Sequence, residues 1–331
     1  MNRYRVLRLG RFSVRVMPPR LTILLALFLC LLLVALWSLV TAANTDPAMT
    51  DAVVVLDFRL SRLALAMVAG AMLGIAGATM QSTTRNGLAD PGLLGVREGA
   101  SLAVLGCLFL LSSLPVMLRP VAAIAGGMAS AAIVLMLSGA TSRLRFVLTG
   151  IGFSWFLSAL LLILMASLDI RNLQTAMIWM AGNLQGASWT AVTILSVSLV
   201  IALGLLLMTA RAADVQALGE HAATALGVHS RLLSVLHVTL AVTLTASCVS
   251  FTGSIGFVGL IGPHIARLLL PAGSYPVLVI GAGLTGATLV AASDTIARTA
   301  FSPLELPTGL VLSAVGAPTL LALLWFHRHR L

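Results

Sequence analysis

The sequence predicts an all-α, polytopic membrane protein of about ten transmembrane helices, and three observations lead there. Of 331 residues, 59% are hydrophobic and only 9% charged, against roughly 25% charged in an ordinary soluble domain. The apolar residues gather into runs near the ~20 residues that a helix needs to cross ~30 Å of hydrocarbon. Glycine, proline and charged clusters interrupt those runs where loops belong.

In chain order the runs place helices at 21–42, 59–81, 97–114, 119–139, 146–168, 189–209, 231–251, 257–270, 276–297 and 306–326. The first follows Arg3, Arg5, Arg8, Arg11, Arg15 and Arg20. Its apolar stretch exceeds the roughly 7–15 residues of a secretory signal core, so it reads as a first span behind an arginine-rich leader, 1–20. The second opens on "FRLSRLALAMVAG", with Arg59 and Arg62 one helical turn apart. Gly70, Gly74 and Gly77 in this helix, and Gly281, Gly283 and Gly286 in the ninth, permit close helix approach. The eighth is short for a full crossing and is expected to be broken or buried in protein.

An even number of spans puts both termini on one side. With that side cytoplasmic, fifteen of the twenty arginines lie inside, and Arg59, Arg62, Arg119, Arg171 and Arg298 lie outside. The chain divides into the leader, a single transmembrane domain (21–326) with a long cytoplasmic loop (211–231), and a tail (327–331).

Composition excludes several chemistries. All 20 basic residues are arginine, so neither a Walker A lysine nor a Schiff-base lysine exists. Cys30, Cys107 and Cys248 each sit in an apolar segment and read as small hydrophobes, without a disulfide framework or metal site. Asp57, Asp90, Glu98, Asp169, Asp214, Glu220, Asp294 and Glu305 fall at helix ends or in loops. An ion-coupled carrier usually needs a carboxylate near the midplane, and none is evident. His221, His229, His237 and His264 show no ligand spacing. "GASL" and "TGSIG" fail the G-x-S-x-G pattern of a serine nucleophile. An ion-coupled carrier and an intramembrane enzyme are thus the weaker alternatives.

Three loops carry more information. "QSTTRNGLADPGLLGVREGAS" (81–101) is irregular backbone, tolerated at membrane depth only inside protein or around a cavity. In "RAADVQALGEHAATALGVHSR" (211–231), Leu218, Ala222, Ala225 and Leu226 recur at helical spacing, with Gly219 and Gly227 as dividers. This predicts two short helices, centred on 218–223 and 224–228, and a partner to cover them. "FTGSIGFVGLIGPHIARLLL" (251–270) is glycine-rich and ends in Pro-His-x-x-Arg.

These segments resemble the FecCD-type permeases, membrane subunits of binding-protein-dependent ABC importers for ferric siderophores, haem and cobalamin. The chain's "RLSR", "RNGLADPGLLGV", "LGEHAATALGV", "GSIGFVGLIGPHIAR" and "ELPTGLVLSAVGAP" follow the family's motifs in family order, from about residue 56 to 325. Ser61 and Gly87 stand where the family usually has proline.

The resemblance implies ten helices, with helices 2–5 and 7–10 as an inverted repeat. It implies a second permease subunit, identical or paralogous, two copies of a cytoplasmic ABC ATPase, and a periplasmic or lipid-anchored substrate-binding protein. The chain itself would be no enzyme and would bind no cofactor, with ATP used by the partner. Arg59, Arg62 and Arg298 would dock the binding protein. Leu218, Gly219, Glu220, Ala223, Leu226 and Gly227 would couple to the ATPase. Asn86, Leu88, Thr141 and Ser142 would form a cytoplasmic gate. "WMAGNLQGASW" (179–189), with Asn183 in place of the usual serine, resembles siderophore and haem permeases. It favours a ferric siderophore over cobalamin, with haem between.

Overall fold

A computed structural model of the chain describes residues 5–9, 12–16, 19–43, 52–110, 115–138, 143–270, 273–300 and 304–326. Among the described residues, the all-α expectation gives way only in the leader. There β1 (Arg5–Leu9) and β2 (Phe12–Val16) pair antiparallel, with Leu9 opposite Phe12. "FSVRV" alternates apolar and polar residues with the period of a strand, and its valines favour extended backbone.

Each expected span has a helical counterpart. They are α1 (Pro19–Ala43), α2 (Ala52–Thr84), α3 (Val96–Leu110), α4 (Arg119–Ser138), α5 (Arg143–Ala166), α7 (Trp189–Met208), α10 (Ser230–Thr252), α11 (Val258–Leu269), α12 (Tyr275–Thr299) and α13 (Thr308–Phe326). Among the described residues, seven of these are long and apolar enough to cross a bilayer: α1, α2, α4, α5, α7, α10 and α12. The chain is therefore a multi-pass membrane protein.

The remaining helices are α6 (Ile170–Met180), α8 (Ala210–Gln216) and α9 (Glu220–Ala225). Sequence reading took 169–180 for a connection. The Asp169 side chain caps α6 by accepting the Asn172 N–H at 3.0 Å, which releases a helix from a segment of mixed polarity. Of the two short helices expected at 218–223 and 224–228, α9 matches the first; the second position, at 226–227, is turn, and the other short helix, α8, precedes Leu218, so the break falls at 217–219.

The largest difference concerns α2. It begins at Ala52, seven residues before the expected start, because "AVVVL" continues the apolar run. Arg59 and Arg62 therefore lie two turns inside a helix rather than at its mouth.

The central pair is α2 against α12, antiparallel. Arg62 faces Asp294, Gly70 faces Gly286, and Gly74 faces Ala282 and Gly286. A Cβ on Gly70 would overlap the Gly286 carbonyl, so the backbones touch directly at this seam. Lipid offers apolar side chains as good a home as a neighbouring helix does. Close backbone approach and dispersion therefore hold such pairs together. Around the seam, Leu65, Met72, Leu195 and Leu244 fill one core, joined by α1, α7, α10 and α11. A second core of Val96, Val104, Val134, Val242 and Val249 binds α3 and α4 to α10.

Two irregular segments sit inside this packing. One is a single 3-10 turn (Pro91–Leu94) before α3, opened by Asp90, whose side chain accepts the Gly92 N–H at 2.9 Å. The other is 253–257, before α11. Each ends on a left-handed residue, Gly95 at φ +66° and Phe257 at φ +67°, followed by valine. The Ser130 hydroxyl in mid-α4 donates to the Leu94 carbonyl at 2.7 Å, so the first break is stabilised by protein and not by water. Gln81 of α2 donates to the Gly259 carbonyl at 3.2 Å, and Arg267 donates to Gln81. As expected from its length, most of α11 packs against protein, with Leu268 and Leu269 of its last turn exposed. Its neighbours are α2, α12 and α13.

Candidate functional site

One end of the bundle gathers charge. The Arg62 guanidinium, on a residue only 8% exposed, uses Nε at 3.2 Å and Nη2 at 3.0 Å on the Asp294 carboxylate. Its Nη1 donates to Glu305 Oε2 at 2.9 Å. The planar fork thus spans two carboxylates, a geometry available to arginine and not to lysine. Asp294 also accepts the Thr308 hydroxyl at 2.9 Å, and Arg298 Nε lies 3.3 Å from its second oxygen. Arg298 reaches α1 as well, donating from Nη2 to Ser38 Oγ at 2.8 Å.

Glu305 has a second donor, Gln185 Nε2 at 2.9 Å. The segment holding Gln185 is itself ordered: the Gln185 N–H donates to Asn183 Oδ1 at 2.9 Å, and the Asn183 N–H to the Thr252 carbonyl at 2.9 Å. The network therefore ties α1, α2, α12, the start of α13 and the 183–188 connection. Burial alone would raise the Glu305 carboxyl. Hydrogen bonds from Gln185 and Arg62, with the charges of Arg62 and Arg298, outweigh it and hold the group below the usual carboxylate range.

Of the three arginines expected to dock a partner, Arg62 and Arg298 are thus engaged within the chain. Arg59, one turn away on α2, is half-exposed. Two like-charged and two oppositely charged groups make the inner cluster neutral, and Arg59 gives the rim its surplus.

The opposite end is built around a stacked histidine and tyrosine, with no ion pair among the groups described below. His237 of α10 is 1% exposed and stacks on Tyr275, with ring centroids 5.3 Å apart and planes 5° apart. Its Nε2 is 2.9 Å from Thr209 Oγ1, at the entry to α8, and its Nδ1 is 3.4 Å from Thr83 Oγ1 on α2. The Tyr275 hydroxyl donates to Thr79 Oγ1 at 3.2 Å. On α8, Asp214 accepts the Tyr275 N–H at 2.7 Å, satisfying an otherwise orphaned donor in the first turn of α12. Gln216 donates to Ser234 Oγ at 2.8 Å, and Arg85 donates to the Gln216 carbonyl.

Beyond these anchors the residues expected to couple lie as follows. Leu218 and Leu226 are 71% and 64% exposed, whereas Ala223 is fully buried beneath them. Gly219 at φ +123° and Gly227 at φ +78° make turns that a side chain would strain. Glu220 starts α9; its side chain lies outside the described residues. A shallow groove lined by Gly227, Val228, Leu232 and Val235 runs beside the loop.

Of the residues expected to gate, Asn86 and Leu88 share one turn, with Asn86 Oδ1 accepting the Leu88 N–H at 3.0 Å. Gly87 between them has open space around it. Thr141 and Ser142 lie outside the described residues.

The comparisons with known proteins now bear on this geometry. The model of the FecCD transport family matches residues 20–326. The chain belongs to that family. This FecCD chain is 40% identical over 270 residues to the Fe(3+) dicitrate transport system permease protein FecD of Escherichia coli (strain K12), covering 80% of the chain and 83% of FecD. It is 36% identical over 283 residues to the iron(3+)-hydroxamate import system permease protein FhuG of Bacillus subtilis (strain 168), covering 83% and 84%. A solved inward-facing ABC transporter assigned to the metal-chelate type superposes with a TM-score of 0.80 at 28% identity, covering 92% of this chain and 99% of that one. The FecCD chain therefore has an ABC permease fold.

By sequence Asp294 and Glu305 stand at helix ends, and their pairing with Arg62 is not apparent there. One signal was available for Asp294: an acid four residues before Arg298 in an otherwise apolar helix. None marked Asp214, Gln216, His237 or Tyr275 of the FecCD chain, whose partners are distant in sequence.

Proposed function

We propose that this FecCD chain is the permease subunit of a binding-protein-dependent ABC importer that carries a ferric siderophore across the bacterial inner membrane. The observation that carries this reading is the family match along residues 20–326, joined to relatives named for ferric dicitrate and iron(3+)-hydroxamate transport. The chain has no lysine and hence no phosphate-binding loop, so hydrolysis of ATP falls to a separate subunit.

In this reading α1–α5, α7 and α10–α13 are ten spans with both termini cytoplasmic, and α2–α5 and α10–α13 form an inverted repeat. The excess of arginines on one side supports the orientation. The order of long helix, break and shorter helix in both halves supports the repeat. The permease domain is 21–326, between the leader 1–20 and the tail 327–331. The Arg62 end faces outward, where Arg59, Arg62 and Arg298 meet acidic residues of a substrate-binding protein. The Gln216 end faces the cytoplasm, where the 211–231 loop offers Leu218 and Leu226 to an ATPase. Asn86, Leu88, Thr141 and Ser142 form the gate. Two permease subunits and two ATPases complete the machine. The cargo arrives chelated, so the pathway needs weakly binding walls and no iron ligands of its own.

Deletion of the gene tests the reading, with uptake of radiolabelled iron measured for several ferric siderophores beside haem and cobalamin. Loss of one ferric siderophore alone is the expected result. Loss of haem or cobalamin uptake instead would keep the importer and replace its cargo.

A further inference from the structure

The Arg62 cluster is lopsided in a way that assigns its two carboxylates different tasks. Asp294 is enclosed: its side chain is 3% exposed and it holds Arg62, Arg298 and Thr308 together. Glu305 is not. Its side chain is 38% exposed, and it is held by Arg62 Nη1 and Gln185 Nε2, each at 2.9 Å. It sits on the connection between α12 and α13, at the rim, and covers the one corner of the guanidinium that Asp294 leaves.

We propose that Glu305 is an exchangeable placeholder. It occupies the site on Arg62 that a carboxylate of the docking protein takes over, and its displacement frees the connection leading into α13. This deepens the docking reading given above and rests on it.

Donor count decides which carboxylate can be exchanged. Arg62 places Nε and Nη2 on Asp294, and Nη1 faces Glu305. An incoming carboxylate can reach the fork only at the Nη1 corner, and only by replacing the group already there. Glu305 is the replaceable one because water already reaches it, so it loses little on leaving. Asp294 is not, because removing it would strand a buried guanidinium.

The placeholder also keeps the undocked rim close to neutral, so Arg62 is not left uncompensated before a partner arrives. Arg59, half-exposed one turn away, supplies the surplus charge that steers an acidic surface in. Release would be felt at a distance. Glu305 ties α2 both to Gln185 before α7 and to the segment that precedes Thr308 on α13. The partner is therefore a protein face bearing a carboxylate able to enter a recess, with further acids around it for Arg59.

The test uses the complete importer, permease and ATPase subunits together in lipid nanodiscs, with its purified substrate-binding protein as the probe. Glu305→Gln keeps shape and the Gln185 contact but removes the competing charge. It should tighten binding by about fivefold, the worth of one partly exposed ion pair. Arg59→Gln should weaken binding, chiefly through slower association. The gain from Glu305→Gln should vanish on an Arg62→Lys background, since an ammonium cannot hold Asp294 and a second carboxylate as a fork. A merely structural Glu305 would not produce that dependence. If Glu305→Gln leaves affinity unchanged or lowers it while Arg59→Gln still weakens binding, docking stands and the exchange falls. If neither variant alters affinity, docking at this rim falls, and the exchange with it.

Discussion

At one end of the bundle Arg62 and Arg298 share Asp294 and Glu305. At the other, His237, Tyr275, Thr209 and Gln216 hold their neighbours through hydrogen bonds and one ring stack, with Asp214 and Arg85 each bonded to an uncharged partner and not to each other. Both clusters join α2 to α12, and both lie at helix ends where a partner is proposed to bind. They differ in reach. Ion pairs act over several ångströms, are screened by salt and can swap one carboxylate for another. Neutral hydrogen bonds act at contact and lose their value within a fraction of an ångström. The charged end suits reversible recognition in water. The end without ion pairs suits rigid transmission, because Gln216 and Asp214 of α8 are bonded at contact to Ser234 of α10 and Tyr275 of α12.

The largest effect is expected at Asp294. Replacing it with alanine leaves Arg62 charged, buried and without its principal partner, at a cost of about 3–5 kcal/mol. Yield and thermal unfolding of the detergent-solubilised protein should both fall. For the same reason, reversing Arg62 to glutamate would not serve as a docking test: it sets a third carboxylate against Asp294 and attacks the fold itself.

Next in size is the His237 cluster. His237→Ala removes a buried ring together with its bonds to Thr209 and Thr83, and should cost about 2–4 kcal/mol. Its effect on the melting temperature should be the same at low and high salt, whereas that of Asp294→Ala should change with salt. Equal salt response in both variants would erase the distinction drawn between the ends.

Leu226→Asp should leave stability almost untouched, because the side chain is exposed. Uptake by the assembled importer should fall while ATP hydrolysis continues. Coupled uptake at the normal rate would remove the loop from the mechanism.

The smallest effect concerns acid. Glu305 titrates below its ordinary value of about 4.5, so its contribution is fully present above that value. It is lost as pH falls through the depressed one. Wild-type protein should therefore lose slightly more stability on acidification through this window than Glu305→Gln does, as followed by thermal melts at stepped pH.

The helical class and the approximate positions of the apolar helices were legible because apolar length and breakers are local signals. Gly70 and Gly74 announced a close helix contact for the same reason. Which helix they would meet was not legible, since Gly286 lies more than two hundred residues away. The arginines expected to dock a partner show the limit most clearly. "RLSR" marked Arg59 and Arg62 alike, yet one is half-exposed and the other is enclosed.

The amino-acid sequence by itself determined a lysine-free, multi-helix membrane protein with the ordered motifs of a FecCD permease. Only the tertiary structure decided which charges are free to meet a partner and which are already spent on each other. The physical reason is that burial and pairing depend on groups brought together across the fold. Arg62 and Asp294 are 232 residues apart in the chain, and nothing local to either records the other.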